Sequence, residues 1–285
     1  MKTTIVYRGP LDSCDYACPY CPFAKRPALS EALREDEQAL TRFVNWLTQC
    51  GSADMGVLFT PWGEALIHAW YRQAIVRLSH LPGLRKVAIQ TNLSCNLAWL
   101  DRCDVSHVGL WCTYHPGQVS RQGFLDQCHI LDRLGVSYSV GLVGLREHVQ
   151  DIAAMRAQLP PTVYLWINAY KSQGPYYSPG EIEDLTRIDP LFALSVHRHS
   201  SRGKPCLCGE RVFSVDGDGT IRRCHFVSRH LGDLYADGLQ QLATPQPCPN
   251  ETCGCHIGYI HMPELHGDEL FGEGILERVP HSHAW

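Results

Sequence analysis

The chain has 285 residues, 45% of them hydrophobic and 19% charged, with a formal net charge of -4. That length buries roughly three quarters of the unfolded surface and suits one large domain, or one plus a small appendage. No apolar run approaches the roughly 20 residues of a spanning helix, the opening MKTTIVYRGP lacks a secretory apolar region, and mild acidity disfavours broad nucleic-acid binding, so a cytoplasmic protein without membrane attachment is expected.

In chain order, apolar β-rich runs at residues 3–7, 55–59, 86–90, 108–113, 137–143 and 162–167 predict six strands. Between and after them, residues 36–49, 65–81, 123–134, 146–159 and 179–189 space Leu, Ile, Val and Trp by three and four, which predicts helices packed on a sheet. This βα repeat implies an α/β fold with a parallel sheet, and six units rather than eight imply a partial, TIM-like (β/α)6 barrel over residues 1–200. Composition changes near residue 200, and residues 201–285, rich in Cys, Gly, Pro and His, are expected to form a small, mostly irregular domain. Within it, residues 212–215 and 220–224 flank Asp216-Gly217-Asp218-Gly219, a hairpin signal because Asp and Gly tolerate positive φ. A small domain with little regular core gains from a metal staple.

Fourteen cysteines are unusual for a reducing compartment, where metal or redox chemistry explains them better than disulfides. Three lie at Cys14, Cys18 and Cys21, and six lie from Cys206 to Cys255. The scattered Cys50, Cys95, Cys103, Cys112 and Cys128 are expected to pack as small hydrophobes. The first group, C-x3-C-x2-C, falls in one loop after the first predicted strand. Three thiolates there can hold three irons of a cubane cluster and leave the fourth open. Structural zinc is the alternative, but it wants a fourth protein ligand, and only Cys50 follows before the second predicted strand.

With Tyr20 directly before Cys21, this motif resembles the signature of the radical S-adenosylmethionine (SAM) enzymes. The resemblance, over roughly residues 5–170, implies a 4Fe-4S cluster whose unique iron binds the SAM amine and carboxylate. Reductive cleavage then yields a 5'-deoxyadenosyl radical that abstracts hydrogen from a peptide or a small polar metabolite. Flavodoxin or ferredoxin is the implied kind of electron donor. Gly63-Glu64 after the second strand is similar to the family's Gly-Glu motif and implies contact with the SAM ammonium; a first-turn helix carboxylate is the alternative. Thr91-Asn92 resembles the ribose-contacting turn, or is a plain loop. Arg121 either pairs with the SAM carboxylate or is solvated at a helix start. Residues 140–147 partly match the family's G-x-I-x-G-x-x-E element, with Gly144 in place and Val140 where the first glycine belongs. Asn168 contacts adenine or caps its loop, and His115 faces substrate or stacks in its loop.

The run from Cys206 to Cys224, C-x12-G-x4-C, resembles the opening of a SPASM or shorter twitch extension, and Cys208 fits the first position as well. Cys248, Cys253 and Cys255 depart from the full SPASM spacing, so the resemblance implies one auxiliary 4Fe-4S cluster on Cys206, Cys224 and two of those three, with zinc as the alternative. Trp62, Trp111 and Trp166 are expected to fill the core, and the tail after Cys255 is placed over the barrel mouth. The rival functions are a non-catalytic iron-sulfur sensor or scaffold and a zinc-stabilised binding module, with methyl or thio transfer as the runner-up among enzymes.

Overall fold

The structure is a computed structural model that describes residues 2–281 except 24–27, 52–53, 172–173 and 240. Six strands pair in parallel in chain order: β1 (Thr3–Arg8), β2 (Met55–Phe59), β3 (Leu84–Thr91), β4 (Val108–Thr113), β5 (Ser137–Val143) and β6 (Leu165–Asn168). Helices α1 (Ser30–Cys50), α2 (Ala69–Ser79), α3 (Arg121–Leu134), α4 (Val149–Gln158) and α5 (Pro179–Ile188) lie between and after them. The expected α/β architecture is therefore present. Alternate strand residues such as Ile5, Val57, Ile89, Leu110, Val140 and Ile167 join the core shared with the helices. Leu58, Ala88, Trp111 and Trp166 bury the opposite face, which is why the strands read as unbroken apolar runs. Local chemistry fixes the helix ends: Ser120 caps α3, Gly135 ends it in the left-handed region, and a Ser178/Glu181 capping box starts α5.

The scattered cysteines divide. Cys95, Cys112 and Cys128 are buried as expected, Cys103 is half-buried, and Cys50 is exposed at the end of α1.

Beyond a short α6 (Phe192–Val196), absent from the periodicity reading, the chain forms β7 (His199–Ser200), β8 (Val212–Asp216), β9 (Thr220–Arg222) and β10 (His230–Asp233). The β8–β9 hairpin forms where Asp-Gly predicts it, with Gly219 at φ +102°. β8 pairs in parallel with β1, so one nine-stranded sheet runs β10-β9-β8-β1-β2-β3-β4-β5-β6. Composition changes at residue 200, yet the sheet continues across it. β11 (Thr252–Cys253) returns to pair with β7, and α7 (His256–Tyr259) and α8 (Gly267–Phe271) follow.

The tail takes a different course from the one expected. His256 packs edge-on to Trp111 at 5.3 Å, on the sheet face away from the main helices. Residues 276–278 close the end where the strands begin. A Cβ on Gly56 would come within 2.8 Å of Leu276, and one on Gly109 within 2.9 Å of Glu277. Buried Glu277 pairs with Lys86 and accepts from Ser137 at 2.8 Å, while Ser139 donates to its carbonyl at 2.6 Å. The missing side chains at the two glycines thus make room for a floor. Among the described residues no helix is long and apolar enough to cross a membrane.

Burial pushes His261 down to about 4, so the unfolded chain binds a proton that the native chain does not between that value and the ordinary 6.5. Stability is therefore lost as pH falls through this window, by roughly 3 kcal/mol over its full width. We expect His261→Gln to flatten the fall of Tm between pH 6.5 and 4. An unchanged slope in thermal melts would contradict it.

Candidate active site

The loop after β1 carries Cys14, Cys18 and Cys21, with Cys18 buried, the other two half-buried and no disulfide among them. The Cys21 amide donates to the Cys18 carbonyl at 3.1 Å and the Tyr16 amide to Cys14 Sγ at 3.4 Å. Burial pushes the Cys14 thiol up to about 11, so a thiolate forms there only with a cation to compensate it. Three cysteines on one short loop suit an iron-sulfur cluster. Among the described residues no group of His, Cys, Asp or Glu is gathered for a single metal ion.

Three strand ends hold this loop. From β2, Gly63 lies flat against it: its φ is +141°, and a Cβ would stand 1.8 Å from the Ser13 carbonyl oxygen. The Glu64 amide donates to that same oxygen at 3.1 Å. The Glu64 side chain turns inward, where it accepts from the Leu66 amide (2.9 Å), Thr91 Oγ1 (3.0 Å) and the Asn92 amide (2.5 Å). Complete burial outweighs these donors and pushes its carboxyl up to about 7. From β3, Asn92 Nδ2 donates to Asp15 in the cysteine loop at 3.0 Å, and Asn92 Oδ1 accepts from the Ser94 amide. From the loop after β4, Gln118 accepts from the Ala17 amide at 2.9 Å, and His115 Nδ1 meets the Tyr20 hydroxyl at 2.9 Å. Burial pushes His115 down to about 4, so it is neutral at physiological pH. It stacks in its loop beside Tyr20, the second of the two roles open in the sequence.

The expected SAM contacts are placed unequally. Gly63, Glu64, Thr91 and Asn92 come together as a fastening beneath the cysteines, and the Glu64 carboxylate is satisfied by protein donors rather than held out toward a ligand. Arg121 is a correction: its guanidinium reaches α4, donating to Gln158 at 2.9 Å and Asp151 at 3.5 Å. Gly144 and Asn168 are joined through the backbone at 2.9 Å, and the Asn168 side chain is exposed at the end of β6. Trp62 is also a correction. It is 40% exposed, with Phe23 edge-on and the Arg8 guanidinium over its ring, whereas Trp111 and Trp166 are buried. Asp15 and Gln118 were missed. Asp15 lies at an unconstrained position of the motif, and Gln118 has no local signal.

The second cysteine group lines one cavity of about 660 Å³, whose wall includes Cys206, Cys208, Cys224, Cys248, Cys253 and Cys255. None forms a disulfide. A hydrogen bond from Cys208, with help from Arg223, holds Cys206 down to about 6, and the same pairing pushes Cys208 up. Six soft donors around one space of this size fit a cluster as well as the first group does. Arg8, at the end of β1, donates to the Thr60 carbonyl at 3.0 Å and feels the charges of Cys255, Asp216 and Cys224, so it stands beside the second group.

No protein-family model matches the chain, and no curated protein matches it. Among solved structures it is similar to a polyhistidine-tagged anSMEcpe with bound AdoMet: the TM-score is 0.56 at 13% identity, over 85% of this chain and 77% of that one. It is also similar to native anSMEcpe with bound AdoMet and Cp18Cys peptide, with a TM-score of 0.53 at 15% identity, over 84% of this chain and 80% of that one. At these identities the likeness is one of fold. That fold agrees with the partial α/β barrel expected from the sequence.

Proposed function

We propose that this chain is a radical SAM enzyme acting on a peptide. The observation that carries the reading is the cysteine loop at the strand ends, fastened by Gly63, Asn92 and Gln118. A 4Fe-4S cluster with SAM bound there supplies reductive C–S cleavage and hydrogen-atom abstraction. Cys14, Cys18 and Cys21 ligate it and leave one iron for SAM. Gly63, Glu64, Thr91 and Asn92 position the loop, while exposed Asn168 is left to meet the nucleoside across the mouth. The peptide class is taken from the anSMEcpe complex with Cp18Cys peptide, whose fold this chain shares. One auxiliary 4Fe-4S cluster occupies the C-terminal cavity, on Cys206, Cys224 and two of Cys248, Cys253 and Cys255. A flavodoxin- or ferredoxin-type donor provides the electron in the cytoplasm.

Anaerobic reconstitution tests this. Wild type should hold about eight irons, and the triple variant Cys14→Ala, Cys18→Ala, Cys21→Ala about four. Only wild type should form 5'-deoxyadenosine from SAM and a reductant. Zinc without iron or sulfide, or equal deoxyadenosine from both proteins, would sink the reading.

A further inference from the structure

Two arginines are buried among the described residues, Arg223 and Arg278. Arg223 donates to the carbonyls of Pro247 at 2.5 Å and Gln246 at 2.8 Å. Arg278, only 3% exposed, has no hydrogen bond or ion pair among the described residues, and its Nε is a sealed donor without an acceptor. An arginine cannot escape burial by losing its proton, so an unmatched guanidinium inside a protein is destabilising. Two rings offset part of that penalty: the guanidinium carbon lies 4.5 Å from the Trp166 centroid and 5.3 Å from that of Trp111. Its backbone sits in the left-handed region at φ +57°, directly after floor residue Glu277. A strained, buried guanidinium that has Asp189 as a nearby countercharge but no hydrogen-bond acceptor among the described residues is the pattern of a binding site rather than of a staple.

Trp111 and Trp166 project from β4 and β6 on the face opposite the main helices, so Arg278 rises from the floor into the barrel interior. The nearby acid is already engaged: Asp189 accepts from Tyr164 (2.5 Å), the Ile167 amide (2.7 Å) and the Leu191 amide (3.0 Å). The nearby cation is engaged as well, with Lys171 donating to the carbonyls of Ser195 and Gly254 at 2.6 Å each. The charge of Arg278 acts on Cys255, His256 and Asp189, which puts it on the side of the interior that faces the C-terminal cysteines.

We propose that Arg278 binds a carboxylate of the peptide substrate inside the barrel. This rests on the peptide reading above. A guanidinium presents parallel donors to a carboxylate, and an amide of the same shape cannot replace it.

Equilibrium dialysis of the reconstituted protein with SAM would compare three probes: Ac-Gly-Glu-Gly-NH2, Ac-Gly-Gln-Gly-NH2 and Ac-Gly-Gly-Gly with a free terminus. At least one carboxylate peptide should bind about tenfold or more tightly than the glutamine peptide, and Arg278→Gln should abolish the difference. Which of the two binds distinguishes a side-chain from a terminal carboxylate. No difference among the three overturns the proposal, as does weaker SAM binding in Arg278→Gln, which would reassign the charge to SAM. Arg278→Met should melt at or above the wild-type temperature, because it removes a buried guanidinium that lacks hydrogen-bond acceptors; a fall of several degrees would mark Arg278 as structural. Wild-type deoxyadenosine formation is scored separately, so failure of the radical SAM reading is told apart from failure of this one.

Discussion

Gly63→Ala is expected to cost the protein its N-terminal cluster, with iron falling from about eight to about four per chain and deoxyadenosine formation falling at least a hundredfold, as a displacement of about 1 Å commonly does. The reason is geometric. The new Cβ would stand 1.8 Å from the Ser13 carbonyl oxygen and 3.2 Å from the Cys14 amide, at a φ of +141° that L side chains rarely adopt. Either the backbone carrying the first cysteine moves or Gly63 leaves its place, and both dismantle the loop. Iron and sulfide analysis after anaerobic reconstitution reads the result. Full iron with wild-type turnover would refute the packing account.

Glu64→Gln should destabilise the protein before any ligand is added. Glutamine keeps the shape, but its amide nitrogen is a donor. One of the three donors that meet the carboxylate, from Leu66, Thr91 and Asn92, would then face another donor in a buried site. One unsatisfied buried group costs about 1–3 kcal/mol, which lowers Tm by roughly 2–10 °C in a chain of this size. SAM turnover should fall with it, because Asn92 also ties Asp15 in the cysteine loop. Thermal unfolding of the protein free of iron and SAM decides between a fastener and a direct ligand contact. An unchanged Tm with weakened SAM binding would restore the contact expected from sequence.

What could be read beforehand follows the range of the forces involved. Strand and helix positions in the βα repeat depend on neighbouring residues, so apolar runs and the Asp-Gly turn located most of them within a few residues, although α1 begins six residues early and the short elements after residue 190 other than the β8–β9 hairpin went unread. The cysteine loop was legible because its ligands are close in sequence. The direction of Glu64 was not, since its partners Thr91 and Asn92 are 27 and 28 positions away. Arg121 misled for the same reason: its partners Asp151 and Gln158 lie on another helix, 30 and 37 residues on. Trp62 read as core because strand-end aromatics usually are, yet it lies in the loop beyond β2 with its ring turned outward, 40% exposed between buried Thr60 and Glu64. The union of the six C-terminal cysteines around one space is a property of the folded chain; their sequence spacing only resembled the opening of a SPASM or twitch extension and left the ligand set open.

The place of β8 beside β1 carries a consequence for biosynthesis and for truncation. Until residue 212 leaves the ribosome, the first strand has a partner on one side only, and its other row of amides and carbonyls remains an open edge. The emerging protein must hold that edge apart from other chains through most of translation, which favours chaperone contact or a late final collapse. A fragment ending near residue 200 would keep the edge permanently and lose the 276–278 floor as well, so it should aggregate rather than persist as a free-standing barrel.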